Sequence, residues 1–284
     1  MTQALREFYR YRLAIIGTAV LVFASLCAVL APVITPHDPN LQDIEGRLTP
    51  PGSIKTGERP HYLGTDQLGR DILSRVIYGT RVSLIVSSVS VFFALTLGTL
   101  VGLYAGYYGG VFDSLVMRLV ELQMAFPFIL LALVILSILG PSLSNIIILF
   151  AVTSWPSYAR TVRGSVLARK ETALVEAARA IGLRDSRILI KHVLANSISP
   201  VIVIASFDMG RMILMESALG FLGLGVQPPT PTWGNMLADG RDYIRSAWWL
   251  ITFPGLGLMV TVLGINFIGD AARDYIDPRT RIEG

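Results

Sequence analysis

Uncharged stretches of membrane-spanning length alternate with polar segments along this chain. No charge falls within Leu13 to Ile34, Val82 to Phe112, Leu122 to Ala159 or Ser246 to Gly269. A bilayer core about 30 Å thick is crossed by roughly 20 mostly apolar helical residues, so the first, second and last stretches each predict one span, at 13–34, 82–108 and 246–269. The third runs for 38 residues, too many for one helix. Gly140-Pro141-Ser142 divides it, giving spans at about 117–139 and 145–159. Ile198 to Leu224 is apolar but holds Asp208, Arg211 and Glu216; it counts as the fifth crossing, at 198–224. The pattern therefore predicts an all-α polytopic membrane protein with six transmembrane helices.

Composition agrees. Charged residues are 15% and the hydrophobic set 52% of the chain, against about 25% charged in a soluble domain, and mean hydropathy is +0.58. Disordered, collagenous and disulfide-scaffold classes are excluded. The net charge of +4 suits basic loops at a membrane surface as well as it suits nucleic acid. Its distribution sets orientation. With the N-terminus inside, the inner segments (1–12, the turn near Arg118, 160–197 and the tail 270–284) hold 15 Lys and Arg, and the outer ones (35–81 and 225–245) hold 8. That bias favours N-in, C-in, which requires an even number of spans. A signal peptide over the first span is disfavoured, because the apolar run exceeds the usual 7–15 residues. Cys27, the single cysteine, follows Leu26 rather than the small residue a lipoprotein needs, and it permits no intrachain disulfide.

Small residues recur every fourth position in the second span, at Ala94, Gly98, Gly102, Gly106 and Gly110. Such a ridge lets another helix approach closely, within the bundle or from a partner; lining a pore is the alternative. The 35–81 segment, rich in Pro and Gly with six basic and six acidic residues, reads as an external excursion ending in an interfacial helix from about Asp71 to Arg81. Catalytic equipment is sparse. Gly164 with Arg169-Lys170-Glu171 lacks the second glycine and the Ser/Thr of a nucleotide-binding loop. His37, His61 and His192 lie far apart and read as solvated or capping, not as a metal cluster. No nucleophile–base pair stands out. No catalytic residue, cofactor site or metal site is expected, so any transport must be powered from outside the chain.

Residues 160–197 form a polar segment between two spans. Its centre, Lys170 to Arg187, is helix-compatible and contains Glu176-Ala177-Ala178 followed by Gly182. A short helix here presents two small alanines and stops at the glycine. That shape suits insertion into a cleft of a partner protein; a helix lying on lipid headgroups is the other reading.

The pattern Glu176-Ala177-Ala178-x-x-x-Gly182, with Leu194 twelve residues after the glycine, resembles the EAA coupling loop of ABC importer permeases. Three more stretches resemble the C-type subunit of the permease subfamily for dipeptides, oligopeptides and nickel. They are Leu63-Gly64-Thr65-Asp66-x-Leu68-Gly69-Arg70-Asp71-x-Leu73-Ser74-Arg75; Phe221 to Pro231 followed by x-Trp233-Gly234; and Gly269-Asp270 with Arg273-Asp274 and Asp277-Pro278-Arg279. All four occur in order, and the resemblance covers the chain from about residue 8 to 280. The resemblance implies a type I ABC importer permease fold in a prokaryotic inner membrane. It also implies a homologous second permease, two ATP-binding subunits that carry ATP and Mg, and an external solute-binding protein. Nucleic acid has no part in it. Glu176, Ala177, Ala178, Gly182 and Leu194 would be the ATPase-coupling contact, and ATP-driven closure would switch the bundle between inward- and outward-facing packings. The cargo implied is a di- or oligopeptide, with nickel, glutathione or an oligosaccharide-type solute as alternatives.

The chain departs from the family pattern in two places. Ala195 replaces a common proline and His192 a frequent isoleucine, which is expected to soften the loop's return into the fifth span. Asp208-Met209-Gly210-Arg211 falls where relatives have small and apolar residues. These two charges lie three apart, so one helical face can pair them, and charges inside a span are functional candidates by default. They are either a neutralising pair facing the bundle or sister subunit, or a lining of the solute path. Glu216 is common in the family and reads as architectural. An ion-coupled secondary transporter using Asp208, Arg211 and Glu216 is the competing class; its usual repeated halves with interrupted helices are not visible.

Overall fold

The protein is described by a computed structural model covering residues 3–53 and 60–276, with side chains throughout except those of residues 3–11, 192, 196 and 276. Among the described residues it is helical, with isolated bridges only at Ser53–His61 and Thr65–Asp71. In chain order the helices are α1 (Gln3–Ile34), α2 (Ile72–Tyr108), α3 (Gly110–Ala125), α4 (Phe128–Leu139), α5 (Leu143–Leu167), α6 (Ala173–Ala180), α7 (Asp185–Ile188), α8 (Ala195–Phe221), α9 (Trp233–Gly240) and α10 (Trp249–Ile276). Helices α1, α2, α8 and α10 are each long and apolar enough to cross a membrane, and α3 with α4 would make a fifth span, sharply bent. Helix α5 is 25 residues long, but Arg160, Arg163 and its Ser, Thr and Pro residues lower its hydropathy.

Three sequence expectations change shape. The stretch expected as one helix over about 117–139 is two helices bent by 95°. Pro127 has no N–H and clashes with a helical neighbour, which holds Phe126 extended at φ −88°, ψ 132°. The interfacial helix expected over Asp71 to Arg81 is instead the beginning of α2. Asp71 caps it, accepting the Ser74 N–H at 2.8 Å, and the 37 residues that follow extend ~55 Å at 1.5 Å per residue. Several turns of α2 therefore stand outside a ~30 Å hydrocarbon core. The last helix continues past residue 269 to Ile276; the remainder of the tail, with Asp277-Pro278-Arg279, lies outside the described residues.

The ridge on α2 explains how the bundle closes. A methyl on Gly98 would lie 2.5 Å from the Trp155 carbonyl oxygen and the Tyr158 Cβ, and one on Gly102 would lie 2.3 Å from the Ala159 carbonyl oxygen. So α2 and α5 touch backbone to backbone. Buried Ser83, Ser87 and Ser90 extend the ridge outward, with Ser83 Oγ donating to Glu216 Oε2 on α8 at 3.1 Å. Gly110, counted in the ridge from spacing, does not belong to it: it begins α3 at φ +67° with open space beside it. Pro156 inside α5 leaves the Val152 carbonyl without its helical donor, and Gln123 Nε2 on α3 fills the gap at 2.5 Å. Gly140, at φ +80°, ends α4, and Asn145 Nδ2 caps the carbonyls of Leu139 and Gly140 at 2.8 and 2.9 Å.

Candidate functional site

Helix α6 carries the Glu-Ala-Ala motif. It ends as the glycine requires: Gly182 adopts φ +79°, its N–H bonds the Arg179 carbonyl at 2.9 Å, and the Leu183 N–H bonds the Ala178 carbonyl at 3.1 Å. This is the Schellman arrangement, which only a residue without Cβ enters freely. The helix is amphipathic in an unusual sense. Val175 and Ala178 are buried in a cluster with Leu103 and Tyr107 of α2, Val162 and Val166 of α5, Ile188 of α7 and Val201 of α8. Leu194, half-buried, packs on the same cluster. Of the two alanines expected on the surface, only Ala177 is presented; Ala178 is 5% exposed, because helical spacing puts it on the face of Val175.

The outer face holds Glu176 and Ala177 between Leu174 and Ile181, which are 58% and 78% exposed. Positions 174, 177 and 181 stand on one stripe at i, i+3, i+7 spacing. Leu174 and Ile181 went unnoticed in the sequence reading, although that spacing signals them. The segment is tied to the bundle by Tyr107 at the end of α2. Its hydroxyl donates to Asp185 Oδ1 at 2.5 Å, and Arg179 lies over its ring at 5.3 Å. Beyond α7, residues Leu189–Leu194 form a π-helical turn that runs directly into α8. Ala195, expected to soften this return, instead continues one unbroken helical run at φ −53°, ψ −35°.

Deeper in α8, Arg211 Nε donates to Asp208 Oδ1 at 2.8 Å, so the two charges form the pair their spacing allows. The Arg211 Nη2 also donates to Ser154 Oγ of α5 at 3.1 Å. The pair is lopsided. Asp208 is buried, whereas the Arg211 side chain is 47% exposed. The Tyr158 hydroxyl is buried beside the Asp208 carboxylate. Glu216 is fully buried on the same helix, held by Ser83.

At the opposite end of the bundle the stretch Leu63–Arg75 folds against α9 and α10. Asp66 is its hub. Its Oδ1 accepts the N–H groups of Leu68 and Arg70 at 2.8 and 2.9 Å, and its Oδ2 accepts Arg70 Nε at 2.6 Å with Arg75 Nε at 3.6 Å. Arg70 reaches on to Asp239 of α9 at 3.3 Å. Trp249 Nε1 donates to the Thr65 carbonyl and Trp233 Nε1 to the Val76 carbonyl, both at 3.1 Å. Here also His37 and His61, far apart in sequence and expected to be solvated or capping, stack with ring centroids 4.4 Å apart beside Asp71. The side chain of His192 lies outside the described residues.

Comparisons with known proteins agree with this geometry. Residues 98–282 match the binding-protein-dependent transport system inner membrane component family, and residues 1–51 match the N-terminal transmembrane domain of oligopeptide transport permease C. The chain is 43% identical over 279 residues to the dipeptide transport system permease protein DppC of Alkalihalophilus pseudofirmus, covering 98% of this chain and 90% of that one. It is 43% identical to the di/tripeptide transport system permease protein DppC of Pseudomonas aeruginosa, covering 97% and 91%. It is 38% identical to the glutathione transport system permease protein GsiD of Pectobacterium atrosepticum, covering 97% and 90%. An inward-facing structure of the MetNI methionine ABC transporter superposes with a TM-score of 0.59 at 23% identity, covering 72% of this chain and 98% of that one; that likeness concerns the fold. From the core match and the full-length relatives, the chain belongs to the binding-protein-dependent inner-membrane permeases of ABC importers, in the C-type branch, as a multi-pass transport subunit and not an enzyme.

Proposed function

We infer that this chain forms half of a translocation pathway for di- or oligopeptides, which an external solute-binding protein delivers and which moves by alternating access. A homologous second permease supplies the other half, and two ATPase subunits below drive the switch with ATP and Mg of their own. The observation that carries this reading is the two-sided construction of α6. Its outer stripe of Leu174, Ala177 and Ile181 is left uncovered among the described residues, while Val175 and Ala178 are set into the cluster where α2, α5, α7 and α8 meet. A groove on an ATPase closing on the outer stripe would move those four helices as one body. Glu176, Ala177, Ala178, Gly182 and Leu194 thus divide the work: the first two meet the ATPase, Gly182 fixes where the helix ends, and Ala178 and Leu194 anchor it.

The membrane topology proposed is N-in, C-in with six crossings: α1, α2, the bent α3–α4 pair, α5, α8 and α10. Helix α5 crosses despite its low hydropathy because it lies along α2, backbone to backbone, over residues 98–106 of that helix. The peptide cargo is supported by the names of the relatives at 43% identity. Arg211, half-exposed beside the buried Asp208 carboxylate and Tyr158 hydroxyl, faces the path and receives a peptide carboxylate.

Pull-down from detergent-solubilised membranes tests the coupling contact. Wild-type chain should recover a second permease and ATPase subunits; Glu176→Lys and Leu174→Asp/Ile181→Asp should keep the permease and lose the ATPases. Recovery of no ATPase by the wild type would sink the assignment. For the path, Asp208→Asn/Arg211→Met removes both charges together, since removing one strands the other. Normal uptake of peptide by an assembled double variant would eliminate the pathway role.

A further inference from the structure

We propose that His37, His61 and Asp71 form a site for a divalent transition metal of the zinc class on the external face of the permease. This site is independent of the coupling reading. The three residues come from three parts of the chain: His37 follows α1, His61 lies in the external excursion, and Asp71 caps α2. Their ligand atoms all lie within 4.8 Å of one another. His61 Nδ1 is 2.9 Å and His37 Nδ1 is 3.7 Å from the same oxygen, Asp71 Oδ1. Ligand atoms around a zinc ion at about 2.0–2.1 Å are separated by roughly 3.3 Å in a tetrahedron, a spacing the two observed distances bracket.

The carboxylate is held for this purpose. Asp71 Oδ2 is occupied by the Ser74 N–H and hydroxyl, both at 2.8 Å, which leaves Oδ1 turned toward the imidazoles. Metal sites orient their ligands through just such outer hydrogen bonds. His37 Nδ1 is buried and has no hydrogen-bond partner among the described residues, so one of the two imidazole nitrogens that converge on Oδ1 is left unsatisfied. The His37 backbone N–H is itself fixed, donating to Ser74 Oγ at 3.2 Å. A cleft of about 380 Å³ opens on the cluster, with Asp38 and Asp43 on its walls, and their charge favours a cation. Two imidazoles with one carboxylate suit zinc, nickel or cobalt; calcium and magnesium prefer oxygen ligands throughout. A bound ion would tie the end of α1 and the excursion to the first turn of α2.

The test uses the full chain in its detergent-solubilised transporter, without a polyhistidine tag, and competes zinc against a chromophoric chelator. Wild type should bind one more zinc per permease chain than His37→Ala does, and that variant's affinity at the site should fall by more than the ~100-fold that loss of an outer partner causes. His37→Ala also removes the ring stacked on His61, so His37→Phe, which keeps a ring and no ligand, should lose the same zinc. His37→Cys keeps a ligand; with cobalt it should give a thiolate-to-metal charge-transfer band that wild type lacks. If wild type and His37→Ala take up the same zinc, and His37→Cys gives no such band, the site is a hydrogen-bonded histidine pair and the proposal is wrong.

Discussion

The two ends of this permease carry similar charge and treat it in opposite ways. At the end that holds the Leu63–Arg75 stretch, Asp66, Arg70, Asp71 and Arg75 are all buried, and each finds its partners within the chain. At the other end, around α6, Glu176, Arg179, Arg184 and Arg187 are exposed, and they border an apolar stripe left open among the described residues. A charge taken out of water is stable only when paired and hydrogen-bonded, so the Asp66 network belongs to the fold itself. Exposed charges around an uncovered apolar stripe mark a surface finished by another protein. One end is closed on itself, and the other leaves an apolar stripe exposed among the described residues.

Replacing Asp66 should break the comparison most severely. Asp66→Ala removes the acceptor shared by buried Arg70 and Arg75, and breaking a buried pair costs about 3–5 kcal/mol. Thermal unfolding in detergent, or the yield of monodisperse protein, should register that loss. Gly102→Val comes next. Its first methyl already overlaps the Ala159 backbone, and overpacking of this kind costs about 1–3 kcal/mol; a cysteine cross-link between α2 and α5 should form poorly in the variant.

Gly182→Ala is smaller and local. The left-handed backbone costs an L-residue about 1–2 kcal/mol, so α6 should fray while the bundle melts near its usual temperature, seen as faster amide exchange over 173–183 alone. Leu174→Ser with Ile181→Ser should leave stability within about 0.5 kcal/mol, as exposed substitutions do, yet abolish stimulation of the ATPase by cargo. A large loss of stability in that double variant would mean the stripe is covered within the chain, and the contrast between the two ends would collapse.

Much of this was legible in one dimension. Runs without charge reveal helices because lipid demands a continuous apolar surface and internally satisfied backbone. Gly140 and Gly182 announce helix ends because both sit where the backbone turns left-handed. The Ala94 to Gly106 ridge announces close packing, since four-residue spacing alone aligns it on one helix face. The errors cluster where side chains answer to neighbours distant in sequence. Spacing alone does not tell that residues 72–81 join α2: Ser74 accepts the His37 N–H and Arg75 donates to the Pro39 carbonyl, partners that only the fold supplies. Ala178 looks like Ala177 until the cluster beneath α6 claims it.

The sequence by itself determined the family, the helical class, the short helix of the Glu-Ala-Ala motif and the Asp208–Arg211 pairing, because each rests on local spacing or on an ordered set of motifs. The tertiary structure alone decided which face of α6 is open, that α2 and α5 meet backbone to backbone, and that His37 and His61 converge on Asp71. The reason is physical: periodicity fixes which residues share a face, but burial and coordination depend on what lies opposite, and here those partners are 24, 34 and more residues away.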